Sequence, residues 1–552
     1  PQSKSQAGQF TWEKACSAEF IPAENDTRSD FQENCGLRVQ GGASRTPSKS
    51  PKHSLSFRFR KRYGAGKLRE ALFPGSDVTE FNSIALRAGY NNSWIHSSSS
   101  QRTVGSMIRD QWMRESVKDM GHADAGEGFI AHLFINGLYW GLHNIAERQD
   151  SGHYANYNGG DEDLIDARNG SDFINGNSTA WNRMRSTVAG GNWEDIQQVL
   201  DVDTYIDYHL LQRFGGNQDL KTNGHWRAAG GGPFSSPTDM EPWKLFSWDG
   251  ERVLESPTAN IVPLDPMNIR TSIEALPEYR MRFADRARMH LTGDGALTPA
   301  KCAERWMKYA NNIDKAIIAE SARWGDHRRS APYDRNNWLT EQNRLLTRYF
   351  PVRTNNVINR LRTNGLYSDL EPPSFTIGGG VSSGGFVSAG STLSATGQAG
   401  TIYYTSDGSD PSLPDGSVNP SALFIGSGTE DFDITAFGTD GWVYLSDPLA
   451  QQSDSNVVEG HPSYNENDWK HPDFNVNTWE GGSEPSGLSG LLAGITASSI
   501  NGHSASTIIN IGPSTGRYPT LYFRKEIEVT GAASVTQLSF SLIRDDGAVV
   551  YL

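Results

Sequence analysis

The spacing of apolar residues in the first two thirds of the chain predicts helices. Apolar positions recur there every three or four residues, which is the period of an amphipathic helix. The predicted helices cover residues 105–118, 201–214, 300–323 and 339–364. The last helix should end near Asn364, because basic residues precede it and Gly365 follows it, as is common at helix C-termini.

Alternating apolar and polar positions predict strands in the same part of the chain, at residues 37–40, 55–60 and 84–87. Two further strand-like runs, 131–135 and 138–142, flank Asn136-Gly137. This dipeptide is the preferred pair for a two-residue type I′ hairpin. Strands and helices in this order predict an α+β domain.

The strand at 55–60 alternates apolar and basic residues. Phe57 and Phe59 leave a strand on one face, whereas Arg58 and Arg60 leave it on the other. We expect the two phenylalanines to face the core. The two arginines should face either solvent or a cleft roofed by the turn Gly41–Arg45.

The pattern changes after about residue 370. Glu371-Pro372-Pro373 has the composition of a linker, and beyond it glycine- and serine-rich stretches separate short alternating runs. These features predict an all-β tail. The chain should therefore contain an α+β domain at 1–370, a β module at 371–430 and a second β domain at 431–552.

Composition and charge narrow the class of protein. The chain has 552 residues and a net charge of −14, which argues against a general affinity for nucleic acid or anionic membranes. No stretch approaches the roughly 20 apolar residues that a membrane span needs. Cys16 and Cys35 flank two short strand-like stretches, and they form either one cross-strand disulfide or two buried free thiols. Both ends of the sequence look cut, so no targeting segment can be read.

Two clusters of polar residues are candidates for chemistry. Asp219 and Asn223 lie on a loop directly after the predicted helix 201–214, and Asp249 ends an apolar strand at a glycine turn. An Asp that orients a hydroxyl, together with an Asn and a second Asp that hold Mg²⁺, is what phosphoryl transfer requires. A single Asp in a turn is usually only structural. Two such clusters about 30 residues apart make both interpretations equally plausible.

Several motifs together resemble the CotH kinase family, the spore coat protein H-like atypical kinases. The resemblance covers about residues 10–370 and includes Gly41-Gly42-Ala43-Ser44-Arg45, Leu86-Arg87-Ala88-Gly89-Tyr90-Asn91-Asn92-Ser93-Trp94, Ile108-Arg109-Asp110, Ile135-Asn136-Gly137-Leu138-Tyr139-Trp140-Gly141-Leu142, Asn217-Gln218-Asp219 and Trp248-Asp249. It implies an atypical protein-kinase-like fold that transfers phosphate from ATP to secreted proteins with the help of Mg²⁺.

The resemblance also implies roles for the polar clusters. Asp219 matches the catalytic-loop aspartate of the family, and Asn223 and Asp249 match its metal-binding residues. Four residues of the glycine turn match the segment over the ATP phosphates: Gly41, Gly42, Ser44 and Arg45.

One position departs from the family, because Arg58 stands where a lysine is frequent. An arginine does not simply replace a phosphate-contacting lysine, so Lys52 or Lys61 is an alternative source of the ammonium group. Glu147 is either the partner of that ammonium group or a solvated neighbour of Arg148.

The tail carries weaker resemblances. Residues 371–430 are similar to a chitobiase/β-hexosaminidase C-terminal-type β-sandwich, and 431–552 look like the start of a jelly-roll, galactose-binding-like domain. Modules of this kind suit a secreted or cell-surface protein of a bacterium, with carbohydrate as a further ligand. The alternative to a kinase is a catalytically degenerate scaffold in an extracellular carbohydrate-binding or adhesive protein.

Overall fold

The computed structural model describes residues 13–221, 225–232 and 240–370, and short segments between 373 and 525. The chain divides into two compact units, one that ends at Asp369 and one that begins at Leu370. The first unit contains both helices and strands, which confirms the mixed α and β class. The boundaries of the three predicted domains stay predictions.

A six-stranded antiparallel sheet dominates the beginning of the first unit, with the strand order β1-β2-β3-β6-β8-β7. A separate two-stranded pair, β4-β5, lies between these strands in the sequence. The strands are β1 (Lys14–Phe20), β2 (Phe31–Gln40), β3 (Ser54–Arg58), β4 (Leu68–Arg69), β5 (Glu80–Phe81), β6 (Ser83–Arg87), β7 (Gly128–Ile135) and β8 (Leu138–Glu147).

The β7–β8 hairpin forms as predicted. Asn136 and Gly137 have φ angles of +50° and +78°, and a type I′ turn needs a positive φ at both of these positions. At the other edge of the sheet Cys16 is directly opposite Cys35. Their sulfur atoms are 3.4 Å apart, and both are free thiols.

The two faces of the six-stranded sheet differ in character. One face carries an apolar cluster that includes Leu55, Phe59, Ile84 and Leu86, with Phe57 packed against it. Phe57 and Phe59 are therefore core residues, as predicted. The other face carries mostly small or polar side chains: Ser54, Ser56, Arg58, Ser83, Ala85, Arg87, Asn144 and Ala146.

A second sheet follows in the chain, with the strand order β10-β9-β11-β12. Its strands are β9 (Asp166–Asn169), β10 (Asp172–Asn175), β11 (Trp226–Gly231) and β12 (Glu241–Ser247). The last strand confirms the apolar strand predicted before Asp249. Trp248 comes directly after it and packs with Ala85 and Ala146 on the polar face of the first sheet.

Helices make up most of the remainder of the first unit. They are α1 (Ser99–Arg102), α2 (Arg109–Asp119), α3 (Ser151–Asn158), α4 (Thr179–Gly190), α5 (Trp193–Val199), α6 (Val202–Gly215), α7 (Arg270–Ile273), α8 (Pro277–Leu291), α9 (Pro299–Ile313), α10 (Ala316–Trp324), α11 (Arg335–Arg344) and α12 (Phe350–Thr363). Their apolar faces form one large core that includes Trp112, Phe214, Trp306 and Phe350. None of the helices that the structure describes is long and apolar enough to cross a membrane.

Two helix predictions need correction. Residues 300–323 form two helices, α9 and α10, rather than one, and 339–364 is a helical run that begins earlier and contains a π-helical turn at Leu345–Tyr349. That run does end where expected, with Gly365 at a φ of +66°.

In the described segments of the tail every regular secondary-structure element is a strand, which agrees with the predicted β class there. They are β13 (Ser374–Ile377), β14 (Gly380–Val381), β15 (Thr392–Thr396), β16 (Ile402–Tyr404), β17 (Leu423–Ile425), β18 (Glu430–Asp433), β19 (Trp442–Leu445), β20 (Glu480–Gly482), β21 (Ala493–Gly494), β22 (Ser499–Ile500), β23 (His503–Ser504), β24 (Thr507–Ile508) and β25 (Tyr522–Lys525).

Candidate functional site

Asp219 is held on a short loop at the end of α6. Gly216 ends that helix with a φ of +61°, and Asp219 then opens a 3₁₀ turn, Asp219–Lys221. The Asn217 side chain accepts a hydrogen bond from the Asp219 N–H at 3.0 Å. The preceding N–H, that of Gln218, donates to the Arg252 carbonyl at 2.9 Å. The loop is therefore tied to the segment that follows Asp249.

Asp249 lies on a strained turn beyond β12 and Trp248. Its φ of +62° is in the left-handed region, which is uncommon for residues other than glycine. The N–H of Gly250 donates to Asp110 on α2 at 2.7 Å, which fixes the turn. Backbone strain of this kind costs roughly 1–3 kcal/mol and persists where the surroundings enforce it, frequently at active sites.

Arg87, the last residue of β6, is the centre of a cluster of carboxylates. Its Nε is 2.8 Å from Asp110, and its Nη2 is 2.9 Å from Glu251 and also contacts Asp249. The arginine side chain is 7% exposed, so three carboxylates surround one buried cation. The guanidinium also stacks 4.8 Å from the Trp248 ring.

The electrostatics of the cluster follow from this crowding. Burial works against the charge of Arg87, but the three carboxylates raise its pKa above the ordinary value. Burial also opposes the charge of Asp249, but Arg87 and His225 hold the pKa of that carboxyl well below its usual range. Arg87 compensates Glu251 only in part, so burial and the neighbouring Asp249 raise its pKa to about 7.

Hydrogen bonds connect Asp219 to the same cluster. The Asn91 side chain donates to Asp219 at 3.2 Å, and the Asn91 backbone N–H donates to Glu251 at 2.9 Å. Burial raises the pKa of Asp219, and the Asp249 charge raises it further. The ring of His225 is 2.8 Å from Asp249, and that hydrogen bond raises the pKa of His225. The two predicted aspartates are thus electrostatic neighbours.

The oxygen donors of this cluster are of the kind that a divalent cation takes, since Asp249 and Asp219 bring two carboxylates close together. Arg114 and His225 pair with Asp110 and Asp249 in addition to Arg87. Within the described ranges, no group of three His, Cys, Asp or Glu side chains is arranged to hold a metal alone. Mg²⁺ typically needs only one or two carboxylates when substrate phosphates complete its coordination. Asn223, the third predicted metal-site residue, lies outside the described residues.

The glycine turn lies at the Arg87 end of the first sheet. Ala43–Arg45 form a 3₁₀ turn between β2 and β3, so Gly41, Gly42, Ser44 and Arg45 all belong to this connection. The first residue of β3, Ser54, accepts a hydrogen bond from the Ala88 N–H at 2.9 Å. The start of β3 and the end of β6 are therefore adjacent.

Arg58 lies at the end of β3 away from the glycine turn, so it does not face a cleft roofed by that turn, which was one of its two expected surroundings. It is paired with Ser83, the first residue of β6, whereas Arg87 is the last. Ser83 and Arg87 are four positions apart on β6, or about 13 Å at the usual rise per residue. The register between β3 and β6 places Arg87, rather than Arg58, beside Asp249.

The other two predicted cofactor-binding residues are engaged elsewhere. Lys52 is 1% exposed, and its ammonium group lies 2.7 Å from Glu320 on α10. Glu147 instead accepts hydrogen bonds from the Glu127 N–H at 2.7 Å and from the Tyr157 hydroxyl at 2.9 Å. Lys52 therefore pairs with Glu320 and not with Glu147.

Arg87, Asn91 and Asp110 all lie within the motifs quoted above, but sequence reasoning assigned none of them a role, and His225 was missed altogether. One signal was present: Ile84-Ala85-Leu86 is an apolar strand that ends in a cation before a glycine turn. A charged residue at the end of a buried strand needs a partner, because burying an unpaired charge is very costly.

Comparison with known proteins places the chain in a family. A family model for CotH kinase protein matches residues 37–349, which is more than half of the sequence and includes Asp219 and Asp249. A comparison with curated proteins gave no significant match. The extent of the match, across both sheets and most of the helices of the first unit, shows that the chain belongs to the CotH kinase family.

Proposed function

We propose that this protein is an atypical protein kinase that transfers the γ-phosphate of ATP to serine or threonine hydroxyls. One observation carries the proposal: in a member of the CotH kinase family, hydrogen bonds link Asp219 through Asn91 and Glu251 to the Arg87–Asp249 pair. Two aspartates that are 30 positions apart in the sequence thereby belong to one hydrogen-bonded cluster around a buried cation.

Asp219 is the group that orients the acceptor hydroxyl and takes its proton. Its pKa is raised by burial, and a base with a raised pKa accepts a proton more readily. Its side chain is 17% exposed, so an incoming hydroxyl can reach it. The hydrogen bond from Asn91 fixes Oδ2, and we assign Oδ1, whose ion-pair partner Arg252 is 4.0 Å away, to the acceptor.

Asp249 and Asn223 are the residues that would hold Mg²⁺. The Asp249 carboxylate remains charged at neutral pH, because Arg87 and His225 lower its pKa, and it keeps 24% exposure. When bound, the metal supplies positive charge against the triphosphate, which phosphoryl transfer needs.

Arg87 is our candidate for the cation that contacts the ATP phosphates. Protein kinases pair a strand lysine with a glutamate on a following helix. Here Arg87 ends a strand and pairs with Asp110 on the next long helix, α2, at 2.8 Å. The glycine turn Gly41–Arg45 lies at the same end of the sheet and is the candidate cover for the phosphates. In this proposal Lys52, Arg58 and Glu147 do not contact ATP.

The acceptors that we propose are secreted or cell-surface proteins of a bacterium. The β-rich tail supports this proposal, since such modules are common in exported proteins, and carbohydrate is the further ligand that we assign to them. The experiment is transfer from ATP labelled at the γ-phosphate to the protein itself and to its secreted companions. The wild type should incorporate label on serine or threonine, whereas Asp249→Asn should not. Asp369→Asn is the matched control, because that side chain is 93% exposed.

A second candidate function, a non-catalytic scaffold, is favoured by one observation. Both oxygens of Asp249 already have partners, one in Arg87 and one in His225. The cavity beside Arg87 and Asn91 has a volume of about 30 Å³, which holds a single water rather than a phosphate. Absence of label from the wild type, with no melting shift at millimolar ATP and Mg²⁺, would favour the scaffold.

A further inference from the structure

A second, much larger cavity of the first unit has basic walls. Its volume is about 660 Å³, and the elements that surround it include β3, the link between β8 and α3, and β10. Its basic lining residues are Arg58, Arg60, Lys61, Lys67, Arg69 and Arg148. Only Asp150 and Glu162 bring negative charge to the lining. In a chain with a net charge of −14, such a concentration of cations is unexpected.

Only part of this positive charge is balanced by carboxylates. Lys67 pairs with Glu162 at 3.0 Å, Arg69 with Glu80 at 2.8 Å, and Arg60 with Glu13 at 3.1 Å. Even when Glu13 and Glu80 are counted with the lining carboxylates, six cations face four anions. The cavity therefore has two positive charges in excess.

Arg58 and Arg148 are two of these cations whose compensation is incomplete. In the part of the chain that the structure describes, the buried Nε atoms of both residues have no hydrogen-bond partner. The Arg148 side chain is 10% exposed, and its nearest carboxylate, Asp150, is 3.9 Å away. Asp150 is also used as the N-cap of α3, where it accepts from the His153 N–H. Desolvation of a poorly paired cation is costly, so an anion in the cavity would relieve it.

We infer that this cavity is a binding site for a small anion that carries two or more phosphate groups. The volume lies in the range of about 300–1,000 Å³ that small-molecule sites occupy. Arginine forks bind phosphate oxygens in pairs, and cations spread over three elements suit more than one anionic group. Ile174 and Phe59 add apolar wall.

The cavity is separate from the proposed phosphotransfer centre. Arg58 and Arg87 are on the same face of the first sheet but about 13 Å apart along it. Trp248 packs on Ala85, which lies midway between Ser83 and Arg87 on β6. Ser83 is the residue that is paired with Arg58. The inference goes beyond the proposed function and does not depend on kinase activity.

Inorganic tripolyphosphate is the probe that tests this site, by calorimetric titration of the full 552-residue chain without Mg²⁺. The wild type should bind one tripolyphosphate, and Arg58→Ala should weaken binding at least about tenfold. Asp249→Asn should bind as the wild type does, which separates this site from the phosphotransfer centre. Lys61→Ala is a second variant for the case that Arg58→Ala does not fold, and Arg282→Ala, on the surface of α8, is the matched control.

Three results would overturn the inference. Equal affinity of the wild type, Arg58→Ala and Lys61→Ala would show that the cavity does not hold the anion. Loss of binding in Asp249→Asn as large as in Arg58→Ala would place the anion at the Arg87 cluster. Citrate binding as tight as tripolyphosphate binding would show a preference for carboxylates rather than phosphates.

Discussion

Two buried cations in the first unit illustrate the difference between a structural ion pair and a candidate active site. Lys52 has one carboxylate partner, Glu320, at 2.7 Å, and the second Glu320 oxygen accepts from the Leu142 N–H. Arg87 has three carboxylate partners, with Asp219 nearby. The first pair joins one cation to one carboxylate, whereas the second is a network in which Arg87 is shared among three carboxylates and Arg114 and His225 pair with two of them. Burial is common to both, so the sharing of one cation among several carboxylates is what distinguishes them.

The largest expected effect concerns catalysis at the Arg87 cluster. Asp219→Asn should lower kcat by about 10²- to 10⁴-fold, because the amide cannot take the hydroxyl proton. The KM for ATP should change little, since we assign Asp219 to the acceptor. Steady-state transfer assays measure both quantities, with the exposed Asp294→Asn as the control. An Asp219→Asn enzyme with at least half the wild-type kcat would remove Asp219 from the reaction.

Disruption of the Lys52–Glu320 pair should affect stability alone. Lys52→Met should lower the free energy of unfolding by about 3–5 kcal/mol, because it leaves the buried Glu320 charge without a partner. Adding Glu320→Gln should recover most of this loss, since glutamine can still accept from the Leu142 N–H. Denaturant unfolding of both variants measures the change. The KM for ATP of folded Lys52→Met should equal that of the wild type, and a tenfold rise would mean that Lys52 contacts the phosphates.

Arg87 should matter more for ATP than Arg58 does. Arg87→Lys keeps the charge but loses the fork that serves several acceptors, so the KM for Mg·ATP should rise on the order of tenfold. Arg58→Ala should raise it less, because Arg58 lies at the other end of β3. Transfer assays on the two variants give the order directly. The reverse order would restore Arg58 as the phosphate-contacting residue.

A smaller effect concerns pH. The pKa of Glu251 is raised to about 7 in the folded protein, against about 4.3 in an unfolded chain. The folded state therefore holds this proton more tightly than the unfolded state does. The stabilisation that this proton gives to the folded state is complete below about pH 4.3, and it is lost as the pH rises to about 7. Glutamine has no such proton to lose, so Glu251→Gln does not lose this stabilisation. As the pH rises across that range, the melting temperature of Glu251→Gln should increase by a few degrees relative to that of the wild type. A difference that stays constant between pH 4.5 and 7.5 would contradict the raised pKa.

Local features were predictable from the sequence. Asn136 and Gly137 both tolerate the positive φ angles of a type I′ turn, so this dipeptide alone predicts the β7–β8 hairpin. Helix α6 and strand β12 show strong apolar patterns, and Asp219 and Asp249 follow directly at their ends. Both aspartates were therefore found without any knowledge of long-range contacts.

Features that depend on long-range contacts were not predictable. The Arg87–Asp110 and Arg87–Glu251 pairs join residues 23 and 164 positions apart. The place of Arg58, at the end of β3 away from the glycine turn, was not predictable for the same reason, because no local pattern reveals the register between β3 and β6. The single helix expected at 300–323 is two helices, although its apolar spacing continues without interruption.

The most direct test of the Arg87 cluster as the phosphotransfer centre is the melting temperature of wild type and Asp249→Asn, each with and without Mg²⁺ and ATP. Without ligand the two proteins should melt together, because Arg87 keeps Asp110 and Glu251 as partners. With Mg²⁺ and ATP the wild type should melt higher by an amount that grows with ATP concentration, and Asp249→Asn should not shift. An equal shift in both proteins would contradict the account.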